Sequence, residues 1–246
     1  MRRLLNDALR TLVPAREDRH GPLPPLLLTL TLVTGLVDAV SYLGLGHVFV
    51  ANMTGNVVFL GFALGGTTSL SALASVVSLA AFLAGALTGG RVGGRYAAHR
   101  GHLLRAATGV QTVLVAVALA VAAAGNGQVT TGVRYALIVF LGLAMGLQNA
   151  VARRLAVPDL TTTVLTLTLT GLAADSVPAG GEAPRPGRRL LSVLAMFLGA
   201  LVGTVLILHG HLVLTLALAL LLLAVTAVSV HRLSADDPDW VRPASK

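Results

Sequence analysis

The sequence contains no cysteine and few charged residues. Without cysteine, the chain has no disulfide bond, thiol nucleophile, zinc–thiolate site or iron–sulfur cluster. Only 11% of its 246 residues are charged, against about 25% in a typical soluble domain. So few charges cannot cover a water-facing surface. The shortage of charge therefore excludes a soluble enzyme, a disordered chain and a nucleic-acid-binding domain.

Apolar residues make up most of what is present. They account for 55% of the chain, and the mean hydropathy is +0.82. The formal net charge is +8, but the basic residues lie in short runs between long apolar segments, so nucleic acid is not an expected partner. The composition predicts an all-α integral membrane protein whose main partner is the lipid bilayer.

A membrane-spanning helix needs about 20 mostly apolar residues. Six segments satisfy this length: 25–46, 70–90, 103–124, 132–152, 190–208 and 211–230. Two further apolar stretches, 48–66 and 159–174, are shorter or more polar. The second contains TTTVLTLTLT, which alternates like a strand, but an isolated strand cannot satisfy its backbone in lipid. We therefore predict six spans and two short broken or re-entrant helical segments.

The distribution of positive charge predicts the topology, because cytoplasmic loops carry an excess of Lys and Arg. If the two weak stretches return to the side they came from, 17 of the 18 basic residues are cytoplasmic and only Arg134 is outside. If both stretches cross, the chain has eight spans and 12 of the 18 are cytoplasmic. We predict six spans, with eight as the alternative. Residues 1–24 are then a basic cytoplasmic segment, 25–230 one membrane domain and 231–246 a polar cytoplasmic tail.

The membrane domain reads as two copies, about 25–124 and 132–230. Asp38 lies late in the first span of one copy, and Asn149 lies late in the first span of the other. Three spans per copy is an odd number, so the copies would cross the membrane in opposite directions. This predicts an inverted 3+3 repeat, a recurrent transporter design. Eight spans would instead give a parallel 4+4 repeat.

Three segments carry a family resemblance: Gly35–Tyr42, Asn52–Asn56 and Ala144–Ala150. In this order and spacing they resemble the YoaK family of bacterial inner-membrane proteins, and the likeness extends over about residues 26–230. The family is a domain of unknown function. The resemblance therefore implies a multi-pass protein of the bacterial inner membrane without naming a substrate.

Asp38 is the only acidic residue inside the six spans. An Asp at the centre of a spanning helix costs roughly 2.5–3.5 kcal/mol on insertion scales, and such residues mark ion or substrate paths. A buried carboxyl group that gains and loses contact with water can take up and release a proton. Asp38 is thus a candidate proton-coupling group. The alternative is a protonated Asp that bonds a neighbouring helix.

Further polar residues cluster in the two weak stretches and in the fourth span. Each has a structural alternative: amides join helices, and threonine hydroxyls bond their own helix. Together with Asp38, the predicted substrate or ion pathway comprises Asn52, Thr54, Asn56, Gln148, Asn149, Thr161 and Thr163.

Two pairs of glycines spaced four residues apart predict close helix packing. They are Gly85 with Gly89, and Gly199 with Gly203. Such pairs join either the two repeats or two subunits, so a homodimer is possible.

The function that these features favour is secondary transport of an unknown small solute. A passive channel or facilitator is the first alternative, and a membrane scaffold or sensor subunit is the second. We expect no enzyme, because the spans contain no cluster of histidine and carboxylate side chains, and we expect no cofactor and no metal site. With Asp38 as the lone acid and no arginine embedded in a span away from its ends, a neutral or cationic solute is favoured.

Overall fold

The computed structural model describes residues 2–15, 18–163, 165–182, 184–235 and 238–242. Within these ranges the chain forms nine α-helices and no strand, which confirms the all-α prediction. The predicted tail at 231–246 lies partly outside the described residues. The helices are α1 (Arg2–Leu12), α2 (Leu23–Ala39), α3 (Met53–Leu64), α4 (Ala72–Arg95), α5 (Arg100–Ala124), α6 (Thr131–Leu155), α7 (Leu165–Ala174), α8 (Pro186–Leu208) and α9 (Leu212–Leu233).

Among the described helices, six are long and apolar enough to cross a membrane: α2 with the π-helical turn Val40–Gly44, α4, α5, α6, α8 and α9. The six predicted spans are confirmed. The two weak stretches contain the short helices α3 and α7, of 12 and 10 residues. At 1.5 Å per residue these reach about 18 and 15 Å, roughly half of a hydrocarbon core about 30 Å thick.

Several of the helices begin where the local sequence satisfies or removes free backbone N–H groups. Pro24 and Pro25 lie in the first turn of α2, where a missing N–H costs nothing. At the start of α4, the hydroxyl of Ser71 accepts a hydrogen bond from Ala74 N at 3.2 Å. Asn52 makes no such side-chain bond at the start of α3. The side-chain amide of Asn52 therefore does not cap α3.

One end of the bundle, which we call the Arg100 end, collects the start of α2, the start of α5 and the ends of α4 and α6. Arg100 Nη2 donates a hydrogen bond to Leu155 O at 2.7 Å and lies 3.2 Å from His20 Nδ1. The ends of α4 and α6 also meet here, because a Cβ atom on Gly93, near the end of α4, would lie 2.6 Å from Cδ of Arg154, near the end of α6.

The other end, which we call the Arg134 end, collects the end of α2 and the starts of α6 and α9. Arg134 Nε donates to Leu45 O at 2.9 Å. The start of α9 also lies at this end, because a Cβ atom on Gly44 would lie 3.3 Å from Cδ1 of Leu212, the first residue of α9. The segment with α3 therefore begins at the Arg134 end, and it also ends there, because α4 runs from that end to the Arg100 end.

The segment with α7 begins and ends at the Arg100 end. It follows the end of α6, and it precedes α8, which runs toward the start of α9 at the Arg134 end. Arg189, in the first turns of α8, contacts acids on both sides of α7: Asp159 at 2.9 Å and Asp175 at 2.8 Å. The two re-entrant segments thus enter the bundle from opposite ends.

The predicted packing glycines lie where α4 meets α6 and where α8 meets α2. A Cβ atom on Gly85 would lie 2.1 Å from Leu143 O, and one on Gly199 would lie 2.1 Å from Leu32 O. Such distances show that the paired backbones are in direct contact. These glycine faces are occupied within one chain, and a homodimer stays a prediction.

The two glycine interfaces use equivalent positions. Leu32 and Leu143 are 111 positions apart, and Gly85 and Gly199 are 114 apart. The next contacts have the same offsets, since Gly89 meets the backbone of Leu147 as Gly203 meets that of Leu36. This correspondence supports the two-copy interpretation, whose inverted arrangement stays a prediction.

The core of the bundle surrounds α2, which is buried over most of its length. The N-terminal helix α1 packs on the start of α8, where Asp7 Oδ2 accepts a hydrogen bond from Arg188 N at 3.0 Å. Leu5 and Leu9 of α1 remain exposed. A basic helix with an exposed apolar side is typical of a segment lying at a membrane surface.

Candidate functional site

Asp38 holds the re-entrant loop that precedes α3. Its Oδ1 accepts hydrogen bonds from Val50 N at 3.3 Å and from Ala51 N at 3.0 Å. The side chain is buried, and Oδ2 has no hydrogen-bond partner among the described residues. A buried carboxylate needs such donors to offset the loss of hydration. Asp38 therefore ties the loop to the last turn of α2.

Asn56 makes a second connection to the same loop. Its Oδ1 accepts from Phe49 N at 2.9 Å, and its Nδ2 donates to Phe49 O at 2.6 Å and to Ser78 Oγ at 3.2 Å. Ser78 Oγ also donates to Phe49 O at 2.6 Å. Through these hydrogen bonds Asn56 joins the loop, α3 and α4. Because its side chain is fully buried, it does not face an open space.

Aromatic rings fill the Arg134 side of this loop. Phe49 stacks on Tyr42 with ring centroids 5.0 Å apart, and on Phe59 with centroids 5.7 Å apart. His47 lies edge-on to Tyr42 at 5.2 Å. A Cβ atom on Gly55 would lie 2.7 Å from the Phe49 ring, so glycine is required for this approach. The cluster packs the re-entrant loop against the end of α2 and against α3.

Asn149 holds the second re-entrant segment as Asp38 holds the first. Thr163 Oγ1 donates a short hydrogen bond to Asn149 Oδ1, and Asn149 Nδ2 donates to Met145 O at 3.0 Å. Asn149 and Asp38 are 111 positions apart, the offset that relates the glycine interfaces. One polar side chain in each half therefore binds the segment that re-enters in its own half.

Gln148 lies in a buried network between helices. Its Nε2 donates to Thr34 Oγ1 at 2.9 Å, and its Oε1 accepts from Gln111 Nε2 at 2.6 Å. The network joins α2, α5 and α6. Sequence reasoning missed Gln111, although a single amide within the membrane-spanning α5 was an available signal.

The space where the two re-entrant segments meet, which we call the central cavity, has a volume of about 430 Å³. The starts of α3 and α7 both border it, together with α4 and α6. It is lined by Ala51, Asn52, Met53, Thr54, Gly55, Phe82, Asn149, Thr163 and Thr166.

A second space, the outer cavity, adjoins the central cavity on the side of the Arg100 end. Its volume is about 620 Å³, and Phe82 and Asn149 line both cavities. The other residues that line the outer cavity are Ala86, Gly90, Ala150, Arg153, Arg154 and Thr161.

The eight residues of the predicted pathway divide into two groups. Three of them lie in buried hydrogen-bond networks: Asp38, Asn56 and Gln148. The other five line the cavities: Asn52, Thr54, Asn149, Thr161 and Thr163. A pathway role stays a prediction for all eight.

The comparison with known proteins decides the family. The family described as "Protein of unknown function (DUF1275)" matches residues 26–229, which is most of the chain. This chain belongs to the DUF1275 family. It is also 35% identical over 150 residues to the UPF0700 transmembrane protein YoaK of Bacillus subtilis (strain 168). That match spans 61% of this chain and 65% of the relative's length. No solved structure matches.

The DUF1275 match includes every residue that lines the two cavities. The relative is described as a transmembrane protein, and six apolar helices of this chain are long enough to span. The DUF1275 chain is therefore a multi-pass membrane protein, and its resemblance to the YoaK family is confirmed.

Sequence reasoning missed the part that α4 contributes to the DUF1275 cavities. Phe82, Ala86 and Gly90 line the outer cavity, but in sequence they are ordinary residues of an apolar span. No local signal separates them from lipid-facing neighbours such as Leu83 and Leu87, which are exposed.

Within the described residues no group of three or more histidine or acidic side chains is placed to hold a metal ion.

Proposed function

We propose that this DUF1275 chain is a secondary transporter for a small solute, and not an enzyme. The observation that carries the proposal is the central cavity. There, Asn52 and Thr54 of one re-entrant segment meet Asn149 of α6 and Thr163 of the other segment. Broken helices that meet near the middle of the membrane form the substrate sites of many transporters.

The arrangement of the two halves supports the proposal. The re-entrant segments enter from opposite ends, and the α4–α6 and α8–α2 interfaces use positions at constant offsets. An inverted 3+3 repeat accounts for both features. Transporters of this design move one repeat against the other around a fixed site, which opens the site alternately to each side.

We propose the bacterial plasma membrane as the location, with both termini in the cytoplasm. This assignment makes the Arg100 end cytoplasmic and agrees with the 17 of 18 basic residues counted for six spans. The outer cavity then lies on the cytoplasmic side of the central cavity, and the aromatic cluster around Phe49 lies on the external side of the loop.

Asp38 is the proposed proton-coupling group, although it does not line the cavity. Its carboxylate accepts a hydrogen bond from the N–H group of Ala51, and Ala51 lines the central cavity. Hydrogen bonds to an ionised acceptor are about twice as strong as those to a neutral one. Protonation of Asp38 would weaken the hold on residues 50 and 51 and allow the cavity wall to move.

The proposal is tested in proteoliposomes that contain a pH-sensitive dye. A panel of small amino acids, sugars, amines and carboxylates is added outside, with and without an imposed proton gradient. With the wild-type protein, we expect at least one solute to change the dye signal, because protons cross the membrane together with that solute. Asp38→Asn should abolish this coupling, because the amide cannot be ionised.

Asp18→Asn is the matched control, since it removes the same charge from an acid outside the spans, and we expect it to behave as wild type. Solute flux and pH dependence unchanged in Asp38→Asn would exclude the coupling role. Flux that ignores the gradient and saturates poorly would indicate the channel alternative. Absence of flux for the whole panel would favour a scaffold or sensor subunit.

A further inference from the structure

The charged side chains that line the two cavities are all positive. Arg153 and Arg154 line the outer cavity, and no acidic side chain is among the described residues that line either cavity. The only acid in the spans, Asp38, binds the backbone of the loop and does not line either cavity. A cleft lined by charge of one sign concentrates ions of the opposite sign.

This placement removes the basis on which the sequence favoured a neutral or cationic solute. That expectation assumed that Asp38 faces the solute and that no arginine does. In the structure Asp38 faces the amides of Val50 and Ala51, and two arginines lie at the mouth of the cavities.

The wall between these arginines and the central cavity is mostly apolar. Its apolar residues are Phe82, Ala86, Gly90 and Ala150, and Asn149 and Thr161 are its uncharged polar residues. Such a wall fits an apolar body better than a fully hydrated ion. The starts of α3 and α7 border the inner space, and their helix dipoles also favour negative charge.

The spacing along α6 limits the size of the ligand. Asn149 and Arg153 are four residues apart, so they lie on one face of α6 and about 6 Å apart along its axis. A molecule whose acid group contacts Arg153 needs only one ring or a short chain to reach Asn149 at the junction of the cavities. Arginine binds carboxylate and phosphate groups through paired hydrogen bonds.

We propose that the outer cavity binds a small organic anion with an apolar body, its acid group on Arg153 and Arg154 and its body against Ala86 and Gly90. This names the substrate class for the proposed transporter and rests on that function. The anion would enter from the Arg100 end and pass Asn149 into the central cavity.

The test is equilibrium dialysis of radiolabelled benzoate with the detergent-purified full-length protein, using benzamide and benzylamine as neutral and cationic analogues. We expect saturable binding of benzoate and weaker binding of both analogues. Arg153→Gln should weaken benzoate binding about tenfold, because a charge-assisted contact is lost. Arg95→Gln, an exposed arginine at the end of α4 that does not line the cavities, should bind benzoate as the wild type does.

A second variant fills the outer cavity without disturbing the fold. A Cβ atom on Gly90 meets nothing within 4 Å, and the same holds for Gly94 one turn later. Only Gly90 lines the outer cavity. We therefore expect Gly90→Leu to abolish benzoate binding, and Gly94→Leu to retain it.

Several results would overturn the proposal: no saturable benzoate binding to the wild type, tighter binding of benzylamine or benzamide, or equal binding by wild type, Arg153→Gln and Gly90→Leu.

The anion-site proposal and the transporter proposal fail in different ways. If the liposome panel shows transport of an amine or a sugar only, the substrate class is wrong and the transporter stands. If benzoate binds as described but no solute moves, the anion site stands and the transporter is wrong.

Discussion

Single polar side chains in this protein bind backbone groups that lie well away from them along the chain. Asp38 is conspicuous in the sequence because it is the only acid in a span. Its partners, the amides of Val50 and Ala51, carry no sequence signature, since every residue except proline offers the same N–H group. Its importance could therefore be predicted, but its contacts could not.

His20 shows the same dependence on distant partners at the Arg100 end. Its Nδ1 lies 3.2 Å from Arg100 Nη2, and the arginine can only donate. Burial, followed by the positive charges of Arg100 and Arg188, lowers the pKa of His20 from 6.5 to about 4. The neutral imidazole is thus the form that fits the folded protein.

This shift predicts acid sensitivity. Between pH 6.5 and 4 the unfolded chain binds a proton at His20 and the folded protein does not, so folding stability falls as the pH decreases through this window. We expect the unfolding temperature of the detergent-purified protein to drop less between pH 7.5 and 5 in His20→Gln than in wild type.

His209→Gln, at the Arg134 end, serves as the control for this measurement and should keep the wild-type acid loss. An equal loss in wild type and His20→Gln would show that His20 does not contribute.

At the scale of elements, the two short helices separate what pattern predicts from what packing decides. Length and polarity predicted that 48–66 and 159–174 do not span. The sequence also favoured a helix over a strand for the alternating stretch at 161–170, and this is correct from Leu165 onward, where α7 begins. The non-helical entry before each helix is set by Asp38 and Asn149, which bind residues 12 to 14 positions away.

The element α7 is anchored at both sides by one guanidinium group. Arg189 contacts Asp159 before the helix and Asp175 after it, and its side chain is only 12% exposed. Partial burial makes such contacts stronger than surface ion pairs.

We therefore expect Arg189→Gln to loosen α7. Amide hydrogen exchange across Leu165–Ala174 should speed up about tenfold, because roughly 1.4 kcal/mol of local stability corresponds to that factor. Exchange across Met53–Leu64 should not change, since α3 is held by other residues.

Arg185→Gln is the matched control for α7, because Arg185 is more exposed and reaches Asp159 only at 3.6 Å. Faster exchange of similar size in this control, or none in Arg189→Gln, would contradict the anchoring role.

For the whole molecule, the main consequence of the structure is that the two re-entrant segments enter from opposite ends and share one cavity. The absence of native cysteine makes this arrangement testable with single cysteines. Thr67 lies between α3 and α4, and the six-span topology places it outside the cell.

We expect Thr67→Cys to react with a membrane-impermeant thiol reagent in intact cells. With eight spans residue 67 would be cytoplasmic, so labelling only after the cells are opened would exclude the inverted arrangement. Ala235→Cys is cytoplasmic in both topologies and should label only in opened cells.

The sequence by itself determined the membrane class, the six spans and the two short segments, because hydropathy and charge act locally and depend on few distant contacts. It also identified Asn52, Thr54, Asn149, Thr161 and Thr163 as polar positions in or beside a membrane domain, all of which line the cavities. Only the tertiary structure decided that Asp38 turns to the backbone and that Arg153 and Phe82 face a shared space. Those facts depend on which helices approach each other through glycine, and close packing of distant segments has no local signature in the chain.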